Sequence, residues 1–133
     1  MISELGFLLL IIVFLVSSLS SFELLMNTKY PKNFSFDQDK LSKLIFLLTL
    51  SSFICLSFSF VNSDFSLNVV SKNSNSQLPI IYKFTGVWGN HEGSILLWLL
   101  VMTFFGFLFS KNSSATEEFK NNVLKIQNSL CFL

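Results

Sequence analysis

The chain has 133 residues, 51% of them hydrophobic and only 13% charged, with a mean hydropathy of +0.60. Charged residues are about half their usual share in a soluble domain, so the bilayer is the expected solvent. Nine lysines, no arginine and a net charge of +1 leave no basic cluster, and no nucleic-acid partner is expected. Cys55 and Cys131 lie far apart in apolar settings and form neither CxxC nor CxxCH, which excludes a dithiol redox pair and a c-type cytochrome. Phe, Leu, Ser, Asn and Lys abound while Ala occurs once, a codon bias of AT-rich and organellar genomes.

The predicted fold is all-α and integral to the membrane: one domain over residues 1–133, with three transmembrane helices and a short C-terminal apolar segment amounting to part of a fourth. The first span covers 5–26. Leu5 to Phe22 is free of charge, and with Leu24 to Met26 it makes about 33 Å of helix, enough to cross the hydrocarbon. A cleaved signal peptide is the competing reading, because Ser17, Ser18, Ser20 and Ser21 follow an apolar core. Against it stand Glu4, the lack of an N-terminal Lys and the length of the apolar run. Residues 27–43 form a polar connection with Pro31 as a helix stop. The second span, 44–62, is charge-free. A polar loop, 63–85, carries a short strand at Phe65 to Val70 if its β-branched and aromatic residues pair. The third span, 86–109, follows. The segment 123–133 is too short to cross alone, and Lys125, Gln127 and Asn128 within it cannot face lipid, so it is expected to lean on another polypeptide or lie at the interface.

Lysines set the orientation. Lys29, Lys32, Lys40, Lys43, Lys111, Lys120 and Lys125 fall on one side, Lys72 and Lys83 on the other. Positive residues stay inside, so the N-terminus and the 63–85 loop are expected to face the intermembrane space or periplasm.

The stretch from Gln77 to Trp98 is the chemically richest. It holds the single histidine, both tryptophans and three of the five glycines. Gly89 and Gly93 have GxxxG spacing, which on a helix admits a neighbouring backbone. On the same helix His91, Ser94 and Trp98 would share one face, and Trp88 and Glu92 an adjacent one. Burying Glu92 or a protonated His91 against lipid costs about 2–3 kcal/mol or more, so each must meet protein, water or a ligand. In the simplest reading they hydrogen-bond between helices while the tryptophans join an aromatic belt. A ligand or cofactor role and a proton or ion path are the alternatives. One His, one Glu and no nearby Cys cannot complete a zinc shell, so no metal site is expected. An imidazole can ligate haem iron, which leaves that role chemically open to His91.

The run VNSDFSLNVVSKNSNSQLPIIYKFTGVWGNHEGSILLW, with WGxHEGS matched by Trp88, Gly89, His91, Glu92, Gly93 and Ser94, resembles the N-terminal region of the CcmF family of cytochrome c-type biogenesis proteins. These are the haem lyase components of the multi-subunit maturation system of many bacteria and some mitochondria. The resemblance implies a polytopic membrane protein in an inner membrane, mitochondrial or bacterial. It implies work on apocytochrome c, whose CxxCH thiolates add to haem vinyl groups. It also implies a tryptophan-rich WWD motif and several histidines that hold haem b. None of these last features is present, and His91 belongs to WGxHEGS rather than to the family's haem-ligating positions. The expectation is therefore a split-protein fragment, in which other haem lyase fragments or subunits complete the assembly and hold the haem. Trp88, His91, Glu92 and Trp98 would contribute to an outward-facing haem or substrate cleft. The contrasting expectation is a non-catalytic structural subunit of a respiratory or other inner-membrane complex.

Overall fold

The computed structural model describes residues 2–27, 37–111 and 116–132. Six helices follow in order: α1 (Ile2–Asn27), α2 (Gln38–Val61), α3 (Asn68–Asn73), α4 (Ile80–Thr85), α5 (His91–Ser110) and α6 (Glu117–Leu130). Three of them, over Glu4–Met26, Gln38–Val61 and His91–Ser110, are long and apolar enough to cross a membrane. Among the described residues there is no strand. The strand expected at Phe65 to Val70 is replaced by α3: one extended segment has no neighbour to take its backbone groups, whereas a helix satisfies them internally.

The second helix starts at Gln38, so Asp39, Lys40 and Lys43, expected in the connection, lie on its first turns. Asp37 caps it, accepting from the Lys40 backbone N–H at 3.3 Å. The Lys40 ammonium, 2.9 Å away, holds the Asp37 carboxyl below the usual carboxylate range. Pro31, Lys29 and Lys32 lie outside the described residues.

The central helix is α2. It packs against both α1 and α5, which do not pack extensively on one another, and α6 contacts all three. The helix surfaces invert the soluble pattern. Phe7, Phe14, Leu25, Ile54, Trp98 and Phe105 are exposed, while Ser17, Ser20, Ser42, Thr49, Ser52 and Thr103 are buried between helices. Apolar side chains face outward, as helices long and apolar enough to cross a membrane require, and small polar ones let backbones approach. Ser52 donates to the Gly6 carbonyl across the α1–α2 seam at 2.9 Å, where a Cβ on Gly6 would stand 3.1 Å from that of Cys55.

The end where α6 enters is tied by a polar network. Lys125 Nζ lies 2.7 Å from Glu23 Oε1, and both side chains are at least nine-tenths buried. Gln38 donates to the other Glu23 oxygen at 2.8 Å. Asn128 and Ser20 both donate to Gln38 Oε1 at 3.1 Å, and Ser42 donates to Asn128 Oδ1 at 2.9 Å. The C-terminal segment is thus longer than the apolar run of 123–133, because its polar face belongs to the same helix. Lys125 and Asn128 find their partners on α1 and α2 of this chain. Gln127 reaches the Met102 carbonyl of α5 at 2.5 Å through the space left by Gly106.

Candidate functional site

The WGxHEGS residues lie at the opposite end, where α5 begins. Sequence spacing places Gly86 to Trp98 on one helix; the structure starts that helix five residues later. After α4, residues 86–90 form a turn, and α5 starts only at His91. The break is made by Asn90, the variable position of the motif. Its side-chain oxygen accepts from the Gly93 N–H at 2.7 Å, while its amide nitrogen donates to the Gly86 and Val87 carbonyls at 2.7 and 3.0 Å. One side chain therefore caps α5 and closes the turn that precedes it. The signal was readable: an Asn before an apolar run, with Glu in the first turn, is a helix start.

This geometry reassigns the glycines. Gly89 lies in the turn, so Gly89 and Gly93 do not form a GxxxG face. Gly93 is instead the seat of its own loop: a Cβ there would fall 1.6 Å from the Val87 carbonyl oxygen. Ser94 Oγ lies 2.7 Å from both the Trp88 and Asn90 carbonyl oxygens, tying α5 back to the turn. Trp88, off the helix, shares no helical face with Glu92. Its ring meets Phe84 edge-on at 5.1 Å. Beneath the turn, Phe60, Val70 and Val87 are fully buried together, joining the end of α2, α3 and the motif. Lys83 donates to Ser63 at 2.7 Å, fixing α4 to the end of α2.

The side chains with chemical potential are left outside this scaffold. His91, Glu92, Trp88 and Trp98 are all exposed, Trp98 to 75%, and His91 and Glu92 take part in no hydrogen bond or ion pair among the described residues. Glu92 stands on the wall of a cleft of about 280 Å³ between α1, α2, α5 and the start of α3, where Leu67 and Val69 line it, and its remaining lining is apolar apart from Ser52. His91 and the tryptophans do not line it. The cleft presents no nitrogen ligand to an iron, and no group of three or more His, Cys, Asp or Glu is gathered among the described residues. The residues present do not make a haem pocket, and what they offer is a carboxylate on an apolar wall and an accessible imidazole beside it.

No protein-family model matches the chain. Over 85 residues it is 54% identical to the cytochrome c-type biogenesis protein CycK of Rhizobium meliloti, which covers 62% of this chain and 12% of that protein. The cytochrome c-type biogenesis protein NrfE of Haemophilus influenzae is 34% identical over 99% of this chain and 21% of its own length. Among solved structures, Cytochrome c Heme Lyase CcmF superposes with a TM-score of 0.84 at 25% identity, covering 99% of this chain and 22% of that one. The chain thus spans between about an eighth and about a fifth of the length of these relatives.

Proposed function

We propose that this chain, which belongs to the CcmF family of cytochrome c-type biogenesis proteins, serves as one helical part of a membrane haem lyase that joins haem to apocytochrome c. The observation that carries the reading is that the likeness to Cytochrome c Heme Lyase CcmF runs through 99% of the chain and not through the motif alone. Its natural partners are the remaining haem lyase polypeptides, which supply the histidines that hold haem b. In that assembly the chain's contribution is positional: the Asn90 turn presents Trp88, His91, Glu92 and Trp98 toward the haem or apocytochrome side. Its membrane is the inner membrane of a mitochondrion or a bacterium, with the motif and residues 63–85 on the intermembrane-space or periplasmic face, as the lysine asymmetry supports.

Co-purification tests the reading. Isolated from its native membrane, the chain should bring polypeptides of the same family together with a haem absorption band, and alone it should be haem-free. Recovery with respiratory subunits only, and no haem, would favour the structural-subunit alternative. A cysteine at Asn73, read with an impermeant thiol reagent, should be labelled from the outer face; labelling from the inner face alone would reverse the orientation.

A further inference from the structure

On the seam between α2 and α5, ammonium groups, aromatic rings and aliphatic side chains are arranged in layers. Phe46 of α2 stacks on Phe107 of α5 with ring centroids 4.8 Å apart, and meets Phe104 at 5.7 Å. Lys111 Nζ lies over the Phe107 ring, 4.3 Å from its centroid. Lys43 stands one turn before Phe46 on α2 and Lys111 one turn after Phe107 on α5, so the two lysines flank the stacked pair. Deeper in the seam, Phe46, Leu50, Leu100, Val101 and Phe104 line a hollow of about 340 Å³, to which neither α1 nor α6 contributes. From Lys43 to Leu50 the helix rises about 10 Å. Cation, aromatic ring and aliphatic hollow thus follow one another in the order in which a phospholipid leaflet passes from phosphate to acyl chain. The local charges favour an anion. Asp39, the carboxylate one turn before Lys43, is met by Lys43 at 2.8 Å and by Lys120 at 3.5 Å, while Lys111 meets no carboxylate among the described residues. Glu117 and Glu118 are exposed on α6 and line no part of the hollow.

We infer that the α2–α5 seam binds one anionic phospholipid, its phosphate held by Lys111 and Lys43 and one acyl chain laid in the hollow. The inference goes beyond the haem lyase reading and needs only that these helices cross a membrane. A zwitterionic lipid fits less well, because its own ammonium would be brought to a place that already holds two. A partner helix fits less well, because it packs along several turns, whereas the hollow extends over one turn of each wall, Phe46 to Leu50 and Leu100 to Phe104. The Phe107 ring holds the Lys111 ammonium in place by cation–π attraction, so little side-chain freedom is lost when a phosphate arrives.

Native mass spectrometry of the full chain in mild detergent tests this, with dioleoyl phosphatidylglycerol and dioleoyl phosphatidylcholine as the probes. One phosphatidylglycerol should be retained per chain, roughly tenfold more strongly than phosphatidylcholine. Lys111→Gln should weaken phosphatidylglycerol about fivefold. Lys40→Gln, at a lysine 84% exposed and already paired with Asp37, should leave it unchanged. Leu100→Trp, which fills the hollow, should weaken both lipids. Lys111 is exposed at the end of α5, so its variant decides the matter even where Leu100→Trp disturbs packing. In native membranes, p-benzoylphenylalanine in place of Val101, a 47% exposed residue of the lining, should form its adduct with phospholipid. Equal retention of the two lipids, or equal losses in Lys40→Gln and Lys111→Gln, would overturn the site. Undiminished binding by a folded Leu100→Trp would overturn the role of the hollow, and an adduct with polypeptide alone would give the seam to a partner helix instead. None of these readouts needs haem, so a haem-free preparation that retains the lipid would count against the haem lyase reading only.

Discussion

At the end where α6 enters, Glu23, Lys125, Gln38 and Asn128 satisfy one another through contacts of 2.7 to 3.1 Å and are hidden from solvent and lipid alike. At the end where α5 begins, Asn90 is likewise saturated by backbone partners, yet His91 and Glu92 beside it are bonded to nothing described and stand exposed. The same classes of side chain are used for cohesion at one end and kept unspent at the other. A polar group already engaged in holding helices together cannot be exchanged for a ligand without loss of stability, whereas an unspent one can. The motif end is therefore where a partner or substrate can be met, and the opposite end is where the chain's own helices are held together.

Five substitutions would break or sharpen this contrast. The largest effect is expected for Lys125→Met, which removes the cation 2.7 Å from the buried Glu23 carboxylate. It should cost about 3–5 kcal/mol in detergent unfolding, and most of that should return in the double variant with Glu23→Leu. If Lys125→Met were neutral, the buried pair would not hold α6. Gly93→Ala comes next, because its methyl group would overlap the Val87 carbonyl. A loss of about 1–3 kcal/mol is expected, together with a change in Trp88 fluorescence as the turn opens. Asn90→Ala, which removes one cap, should cost about 1 kcal/mol and speed amide exchange at Gly93. The smallest effects on stability belong to His91→Gln, within about 0.5 kcal/mol, and Glu92→Gln, below about 1 kcal/mol. Under the proposed function, those two should nevertheless lower cytochrome c maturation in vivo. Variants that are both stable and fully active would show that the exposed pair is idle.

Much of the fold was legible because long charge-free runs have only one low-energy fate in lipid. Of the spans expected at 5–26, 44–62 and 86–109, the structure makes helix of 5–26, 44–61 and 91–109. What hydropathy hid were features made by polar residues. Glu23 reads as a blemish in the first run until Lys125 is placed 2.7 Å from it, a pairing across 102 positions that no local pattern encodes. The start of α6 at Glu117 was missed because its apolar stripe is interleaved with Lys120, Asn121 and Lys125, so a run-based reading sees only its last turns. At the motif, the right residues were singled out, but the glycines were read as a helix-packing pair. Asn90 turns the chain between them, and the close approach at Gly93 is made by the loop's own backbone.

The Glu23–Lys125 pair also bears on how these helices can come together in a bilayer. A helix carrying two lysines, two glutamates, three asparagines and a glutamine would be refused by the bilayer if it arrived alone, since a lysine at mid-membrane costs about 2.5–3.5 kcal/mol on the insertion scale. It becomes acceptable only once α1 and α2 stand side by side and offer Glu23 and Gln38 as a receiving site. The first two helices, once paired, thus present the site that accommodates the polar face of α6.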